Sequence, residues 1–270
     1  MPRTRQAAAR LVVASAILAP FALSGEAALQ RLAAAADVRV QLLDYRNGLY
    51  ALYGAGGNAL ILERDKDVVL MDAKNRGAGV AIRQAVQAIT DKPITTAIVT
   101  HAHPDHAGGL AELKEIARII VHERAADEFR RVAGTSDSGA GAVRVVQDRL
   151  TLSEGGQRIE VYYLGPGHTA GDLVVVFPES KIAYLGDLFP ARAAPTIDIE
   201  HGGSGVRFPE TLARAIATLK AHDIRRISPG HDQGFVPPRL SDDYDLDAID
   251  AVLATAAAER LGTDGGRSLS

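Results

Sequence analysis

Residues 100–109 read Thr-His-Ala-His-Pro-Asp-His-Ala-Gly-Gly, and the interpretation of the whole chain starts from this stretch. The apolar, β-branched run before it, residues 94–99, predicts a buried strand that ends where the histidines begin. Pro104 prevents that strand from continuing. Apolar residues then recur at helical spacing, namely Leu110, Leu113 and Ile116. The pattern therefore predicts a short loop, rich in metal-binding side chains, between a strand and a helix.

The metal-binding side chains of this loop fall on two sides of the proline. His101 and His103 are two residues apart on an extended segment, so their side chains point the same way. Asp105 and His106 follow Pro104, where the chain has changed direction, and can face a second point nearby. One loop can thus supply two ligands to each of two neighbouring ions. Zinc takes such nitrogen and oxygen ligands, and catalytic zinc sites keep a position open for water.

Composition excludes several other kinds of site and partner. The chain has 270 residues and no cysteine, so disulfides, thiolate ligands and a cysteine nucleophile are ruled out. The formal net charge of −3 provides no electrostatic field to attract nucleic acid. We therefore expect a globular protein that does not bind nucleic acid, with a metal site built from nitrogen and oxygen alone.

Residues 1–36 are typical of a targeting segment rather than of a folded domain. Three arginines precede an apolar stretch, residues 11–23, that is too short for a membrane span. Small residues follow, which favours a cleaved secretory signal and a periplasmic or secreted protein without stable membrane association. An uncleaved membrane anchor is the alternative. Residues 37–261 are then expected to form one folded domain, and residues 262–270 a disordered tail.

The remaining periodicities predict two groups of strands, each followed by helices, without strict βαβ alternation. We expect strands at residues 38–42, 49–53, 59–62, 68–71, 118–121, 143–146, 150–152, 158–164, 173–177, 182–185 and 226–228. We expect amphipathic helices around residues 82–89, 125–132, 212–219 and 246–253. Two sheets packed face to face, with helices outside, would bury every apolar face.

Three further motifs stand at the ends of predicted strands. They are Gly167-His168-Thr169, Gly186-Asp187 and Gly230-His231. Each histidine or aspartate taken alone is more often a structural residue than a ligand. Their shared position at strand ends, together with the histidine-rich loop, favours a single metal centre.

The order of these motifs resembles the metallo-β-lactamase superfamily, and within it the glyoxalase II-like and lactonase-like metallohydrolases that carry a bridging aspartate. The resemblance implies an α/β (α+β) fold, a four-layer αββα sandwich of two mixed sheets with helices outside. It assigns His101, His103 and His168 to a first metal. It assigns Asp105, His106 and His231 to a second metal, and Asp187 as the bridge between them. Asp72, after the predicted strand 68–71, would orient the site without binding a metal.

The function that this resemblance implies is metal-assisted hydrolysis. Two zinc ions per chain, or iron or manganese in their place, would lower the pKa of a shared water and supply hydroxide near neutral pH. That hydroxide would cleave an ester, lactone, thioester or amide bond in a small molecule. Asp105 would be the catalytic side chain, which orients the hydroxide and passes a proton to the leaving group.

Three alternatives remain open at this point. The chain could be a secreted class B3-like β-lactamase, although such enzymes generally lack the bridging aspartate. It could also be a mononuclear iron dioxygenase of the persulfide type, or a non-catalytic metal-binding protein. The side chains that contact substrate are not specified by any motif. Candidates near the motif loops are Tyr163, Arg192 and His201.

Overall fold

The structure is a computed structural model that describes residues 38–134, 141–191, 195–231, 245, 247–249 and 251. The predicted signal at residues 1–36 and the predicted tail at residues 262–270 lie outside the described residues. So do Arg192 and half of the last predicted helix, whose described residues 247–249 and 251 are helical. Within the described part of the chain, no helix is long and apolar enough to span a membrane.

The first sheet has seven strands, arranged side by side in the order of the sequence. The first four pair antiparallel and the last four pair parallel, so the sheet is mixed. The strands are β1 (Gln41–Arg46), β2 (Leu49–Tyr53), β3 (Ala59–Glu63), β4 (Val68–Met71), β5 (Ile94–Ile98), β6 (Arg118–His122) and β7 (Ala142–Val146).

The second sheet has five strands in the order β12-β11-β10-β9-β8. Its pairs are antiparallel except for the parallel pair of β11 and β12, so this sheet is also mixed. The strands are β8 (Arg149–Leu152), β9 (Ile159–Tyr163), β10 (Leu173–Phe177), β11 (Ile182–Tyr184) and β12 (Arg226–Ser228).

Helices cover the outer face of each sheet. The described helices are α1 (Gly79–Gln87), α2 (Pro104–Ala107), α3 (Ala126–Ala133) and α4 (Phe208–Ala221). Apolar residues of α1 and α3 pack on the first sheet, and those of α4 pack on the second. A third apolar core lies between the two sheets. The predicted four-layer αββα sandwich is therefore confirmed.

The apolar pattern of the central strands follows from this double covering. In β4, Val68 and Leu70 join the core under the helices, whereas Val69 and Met71 join the core between the sheets. All four side chains are fully buried. A strand buried on both faces needs no polar residue, which explains why this run is continuously apolar rather than alternating.

The helix predicted after the histidine-rich loop is not formed. The four-residue helix α2 is followed by a 3-10 turn at Gly108–Glu112. Gly109 lies so close to Ala73 that an added Cβ would be 2.1 Å from the Ala73 carbonyl oxygen. A residue with a Cβ would not fit at this point, and the chain here follows the tighter 3-10 path. Leu110, Leu113 and Ile116 are nevertheless buried, as their apolar spacing requires.

Candidate metal centre

The polar side chains at the strand ends meet at one edge of the sandwich. In the first sheet β4 and β5 are parallel, so Asp72 and the loop that starts at Thr100 leave the sheet on the same side. In the second sheet β9, β11 and β12 all run in one direction. Beyond the ends of these strands lie His168, Asp187 and His231. Topology thus brings together residues that are far apart in the sequence.

The first donor group consists of His101, His103 and His168. Nδ1 of His103 lies 3.2 Å from Nε2 of His101 and 3.0 Å from Nε2 of His168. His101 and His168 are buried, and the side chain of His103 is 20% exposed. Three imidazole nitrogens that converge in this way form a typical nitrogen ligand set for zinc or another transition metal.

The second donor group consists of Asp105, His106 and His231. Nε2 of His231 lies 3.2 Å from Nε2 of His106 and 3.4 Å from Oδ2 of Asp105. Each of the three residues therefore presents one ligand atom to a common point. The two sides of Pro104 supply different groups, as the spacing in the sequence predicts.

Asp187 lies between the two donor groups. Its Oδ2 is 3.7 Å from Nε2 of His168 and 3.2 Å from Nε2 of His231. Its Oδ1 is 3.3 Å from Nε2 of His106 but accepts no hydrogen bond from the described residues, although it is buried. A buried carboxylate oxygen without a hydrogen bond is costly unless it has another partner. Divalent cations in the two donor groups would provide one.

Carboxylates hold the outward nitrogens of two of these histidines. Nδ1 of His106 is 2.8 Å from Oδ2 of Asp72, and Nε2 of His103 is 2.7 Å from Oδ2 of Asp198. A proton on each outward nitrogen leaves the lone pair of the inward nitrogen free to bind a metal. Such outer carboxylates fix the ring orientation and increase the basicity of the ligand.

The other two histidines of the first donor group, His101 and His168, are held by neutral groups. Nδ1 of His101 is 3.1 Å from Oγ1 of Thr100, and Nδ1 of His168 donates to the carbonyl oxygen of Thr196. The rings in the first donor group are thus fixed from outside by a hydroxyl, a carbonyl and a carboxylate. This preorganisation is characteristic of metal ligands and is not needed by histidines that merely fill space.

The protonation of each ionisable side chain in the site depends on its neighbours. Burial opposes protonation of His106, but the neighbouring carboxylates of Asp187 and Asp72 outweigh it and raise the pKa of His106 to about 10. Although burial opposes ionisation, His106 and His231 hold the pKa of Asp187 far below its ordinary value. Burial and the neighbouring His106 lower the pKa of His101 well below the usual value. The carboxylates thus favour positive charge here, and bound cations would provide it.

Asp72 is the point at which the two sheets are joined behind the site. This buried carboxylate accepts hydrogen bonds from the backbone and hydroxyl of Thr100, at 2.7 Å each. The hydroxyl of Tyr184, on the second sheet, donates to Oδ2 of Asp72 at 2.8 Å. Burial and the Asp72 charge raise the pKa of Tyr184 well above its usual value, so the phenol keeps its proton. Asp72 therefore couples His106, on the first sheet, to the strand that leads to Asp187.

The Tyr184→Phe substitution tests this link. We expect it to lower the free energy of unfolding by about 1–3 kcal/mol, because Asp72 and the carbonyl oxygen of Asn58 would lose a shared donor that water cannot replace in a buried site. The measurement is denaturant unfolding of chelator-treated protein.

A matched control is Tyr50→Phe. Tyr50 is half-buried, and its hydroxyl makes no hydrogen bond to any of the described residues. Its loss should change the unfolding free energy by less than about 0.5 kcal/mol. Equal effects of the two substitutions would contradict the proposed role of the Tyr184 hydroxyl.

The two described candidates for substrate contact differ in position, since the ring centroid of His201 lies 5.7 Å from that of the ligand candidate His103. Tyr163 stacks on His122, with ring centroids 3.7 Å apart, and its hydroxyl donates to the carbonyl oxygen of Ala170. His201 lies outside the first donor group, with its Nδ1 2.6 Å from Oδ2 of Asp198. That hydrogen bond raises the pKa of His201. Neither residue lines the cleft formed by Asp105, His168, Asp187 and His231, but His201 lines a second cleft together with His103.

Two residues at the site carry no recognisable signal in the sequence. Asp198 belongs to the irregular segment after Asp187, where nothing in the sequence distinguishes it from a solvated loop carboxylate. Tyr184 belongs to an apolar strand and looks like a core residue. Only the packing of the two sheets shows that these side chains reach His103 and Asp72.

The comparison with protein families identifies one match. The profile described as "Metallo-beta-lactamase superfamily" matches residues 52–231. This range contains all the residues of both donor groups, and also Asp72 and Asp187.

Individual relatives agree with that match. Metallo-beta-lactamase IND-1 of Chryseobacterium indologenes is 24% identical over 226 residues, 83% of this chain and 91% of that protein. The 2,4-dinitroanisole O-demethylase subunit alpha of Nocardioides sp. (strain JS1661) is 33% identical over 132 residues. That match spans 47% of this chain and only 40% of the subunit. The solved metallo-beta-lactamase from Pontibacter korlensis superposes with a TM-score of 0.66 at 19% identity, covering 81% of this chain and 99% of the other.

Proposed function

The chain belongs to the metallo-β-lactamase superfamily, and on this premise we propose that it is a hydrolase that uses two metal ions to cleave a bond in a small molecule. The observation that carries the proposal is the position of Asp187 between two donor groups of three residues each. A site for one metal would need only one of these groups.

The chemistry of the donor atoms suits zinc. His101, His103 and His168 would hold one ion, Asp105, His106 and His231 the other, and Asp187 would contact both. Bound there, two divalent cations would acidify a water and polarise the carbonyl oxygen of the substrate. Iron or manganese would fit the same nitrogen and oxygen ligands.

Asp105 is the side chain of this set best placed to handle protons. Its side chain is 33% exposed and lines the cleft, whereas His106 beside it is fully buried. A carboxylate that is open to the cleft can orient an attacking water and carry a proton to the leaving group. The histidines are held from outside and serve to position the reacting groups.

We propose an ester, lactone, thioester or amide as the substrate, and an exported location for the protein. The carboxylate of Asp187 supports the ester, lactone and thioester readings, since the notable feature of that branch of the superfamily is a bridging aspartate. The similarity to IND-1 over 91% of its length supports a β-lactam as the competing substrate.

Metal analysis combined with a substrate panel tests the function. The purified chain would be analysed for its elements and assayed with an aryl ester, a lactone, a glutathione thioester and a cephalosporin. We expect about two zinc ions per chain and turnover of one substrate class, abolished by a chelator. One iron ion with a silent panel, and oxygen consumption with a persulfide, would favour the dioxygenase. Two metal ions without turnover of any substrate would favour a binding protein.

The Asp198→Asn substitution tests whether the Asp198 carboxylate supports His103 as a metal ligand. We expect metal affinity to fall about 10- to 100-fold, because an amide cannot stabilise the protonated outward nitrogen of His103 as a carboxylate does. Competition with a chromogenic chelator measures this affinity.

The control for this variant is Asp127→Asn. Asp127 is an exposed carboxylate of α3 that pairs with Arg130. The same loss of one negative charge at this position should leave the metal affinity unchanged. If both variants retain metal as the parent does, Asp198 does not support a ligand.

A further inference from the structure

We propose that the cleft binds an uncharged, apolar group of the substrate against an apolar wall formed by Pro190, Pro195, Ile197 and Ile199. This inference rests on the proposed function and names the class of substrate that the site would take. Substrates that carry a carboxylate on the same group would be disfavoured. The wall therefore acts in specificity, apart from the residues that carry out hydrolysis.

The wall and the metal-binding residues share one space. A cleft of about 630 Å³ is lined by the apolar wall and by His103, Asp105, His168, Asp187 and His231. A substrate with its reacting carbonyl at the donor groups would therefore extend its remaining part along the wall. The volume accommodates a small organic molecule.

The wall is firmly attached to the core and to a metal ligand. Ile197 packs against the core between the second sheet and α4. The backbone amide of Asp198 donates to the carbonyl oxygen of His168 at 2.8 Å. Gly203 in turn donates to the carbonyl oxygen of Asp198 at 2.7 Å. The position of this segment relative to the first donor group is thus set by hydrogen bonds.

Ile199 is the part of the wall that is exposed to solvent and therefore accessible to a ligand. Its side chain is 79% exposed, although it stands between two residues that also line the cleft. A single exposed isoleucine is ordinary on a protein surface. Here it continues an apolar surface that begins at the buried Pro195 and passes through the half-buried Ile197. Covering this surface with an apolar group would be favourable.

The charges around the cleft point to the same class of substrate. The described residues that line the cleft include no lysine or arginine. Asp198 is paired with two histidines, whereas Glu200 is exposed at the rim. A carboxylate lying along the wall would lose hydration and meet this negative charge, and the described lining residues offer no lysine or arginine to compensate it. An uncharged group would incur neither cost.

Metal-chelating hydroxamates test the wall without requiring turnover. The affinity of the zinc-loaded chain would be measured by calorimetry for acetohydroxamate, octanohydroxamate and the eight-carbon hydroxamate that ends in a carboxylate. We expect octanohydroxamate to bind at least about tenfold more tightly than acetohydroxamate, which corresponds to about 1.4 kcal/mol. The carboxylate-terminated compound should lose this gain.

Variants assign the effect to the wall. Ile199→Asn should abolish the preference for octanohydroxamate. Val206→Asn is the matched control, since Val206 is also an exposed aliphatic residue, at 67%, but does not line the cleft. It should leave the preference unchanged.

Several results would overturn the inference. These are equal affinity for the two uncharged hydroxamates, tight binding of the carboxylate-terminated compound, a preference that survives in Ile199→Asn, or no binding of any compound. Failure of the proposed function would give a different combination of results. The chain would prefer octanohydroxamate to acetohydroxamate but would hydrolyse no substrate in the panel. Hydrolysis without a chain-length preference would remove only the inference.

Discussion

The Asp105→Asn variant is expected to lose about 10²- to 10⁴-fold in kcat and to keep its fold. Asparagine has the same shape but cannot accept a proton or carry the charge that orients a water. The fold should survive because the structural contact of Asp105 is made by its backbone, whose carbonyl oxygen accepts from the amide of Gly57 at 3.0 Å. The substitution does not alter that oxygen.

The measurement is steady-state turnover of whichever panel substrate the parent cleaves, together with the metal content of the same sample. The metal content matters because Asp105 also belongs to the second donor group, so the rate must be expressed per loaded site. Asp91→Asn is the control for a change of charge. Asp91 is an exposed carboxylate that follows α1 in the sequence and does not line the cleft. If Asp105→Asn turns over at the parent rate, the proposed mechanism is wrong.

Gly57→Ala is expected to empty the second donor group, with metal affinity there reduced by more than about 100-fold. A methyl group at this position would lie 2.3 Å from Nε2 of His106, the nitrogen that faces the proposed metal. His106 cannot move aside, because it is fully buried and its Nδ1 is held by Asp72. The backbone of Gly57 cannot retreat easily either, since its amide and carbonyl are both hydrogen bonded. Even the loss of an outer hydrogen-bond partner costs 10- to 100-fold in metal affinity, so direct obstruction should cost more.

Elemental analysis after dialysis would report this loss as about one metal ion per chain instead of two. Gly205→Ala makes the same chemical change where an added Cβ would meet only Ile197, at an ordinary 3.8 Å. Gly205→Ala should reduce the conformational entropy of the unfolded chain by the same amount as Gly57→Ala. Its metal content should match that of the parent. Retention of both ions by Gly57→Ala would show that His106 does not bind a metal through Nε2.

The elements predicted from the sequence agree with the structure where burial follows a regular period. The strands at Leu49–Tyr53, Val68–Met71, Leu173–Phe177 and Arg226–Ser228 have the predicted bounds. The first strand does not, since it was expected at residues 38–42 and forms at Gln41–Arg46. Most of its side chains are exposed, so the alternation of apolar and polar residues is weak and does not specify where the strand begins.

By itself, the sequence determined the two-sheet class of the fold and the positions of the donor side chains in the chain. Donor chemistry is a property of single residues, and strand ends are marked locally by glycine, proline and the end of an apolar run. The family resemblance already implied a bridging position for Asp187, but only the tertiary structure decided that Asp198 holds His103 and that Tyr184 reaches Asp72. The first contact joins residues 95 positions apart in the sequence, and the second joins residues 112 positions apart. No local pattern encodes them, because they arise from the packing of one sheet on the other.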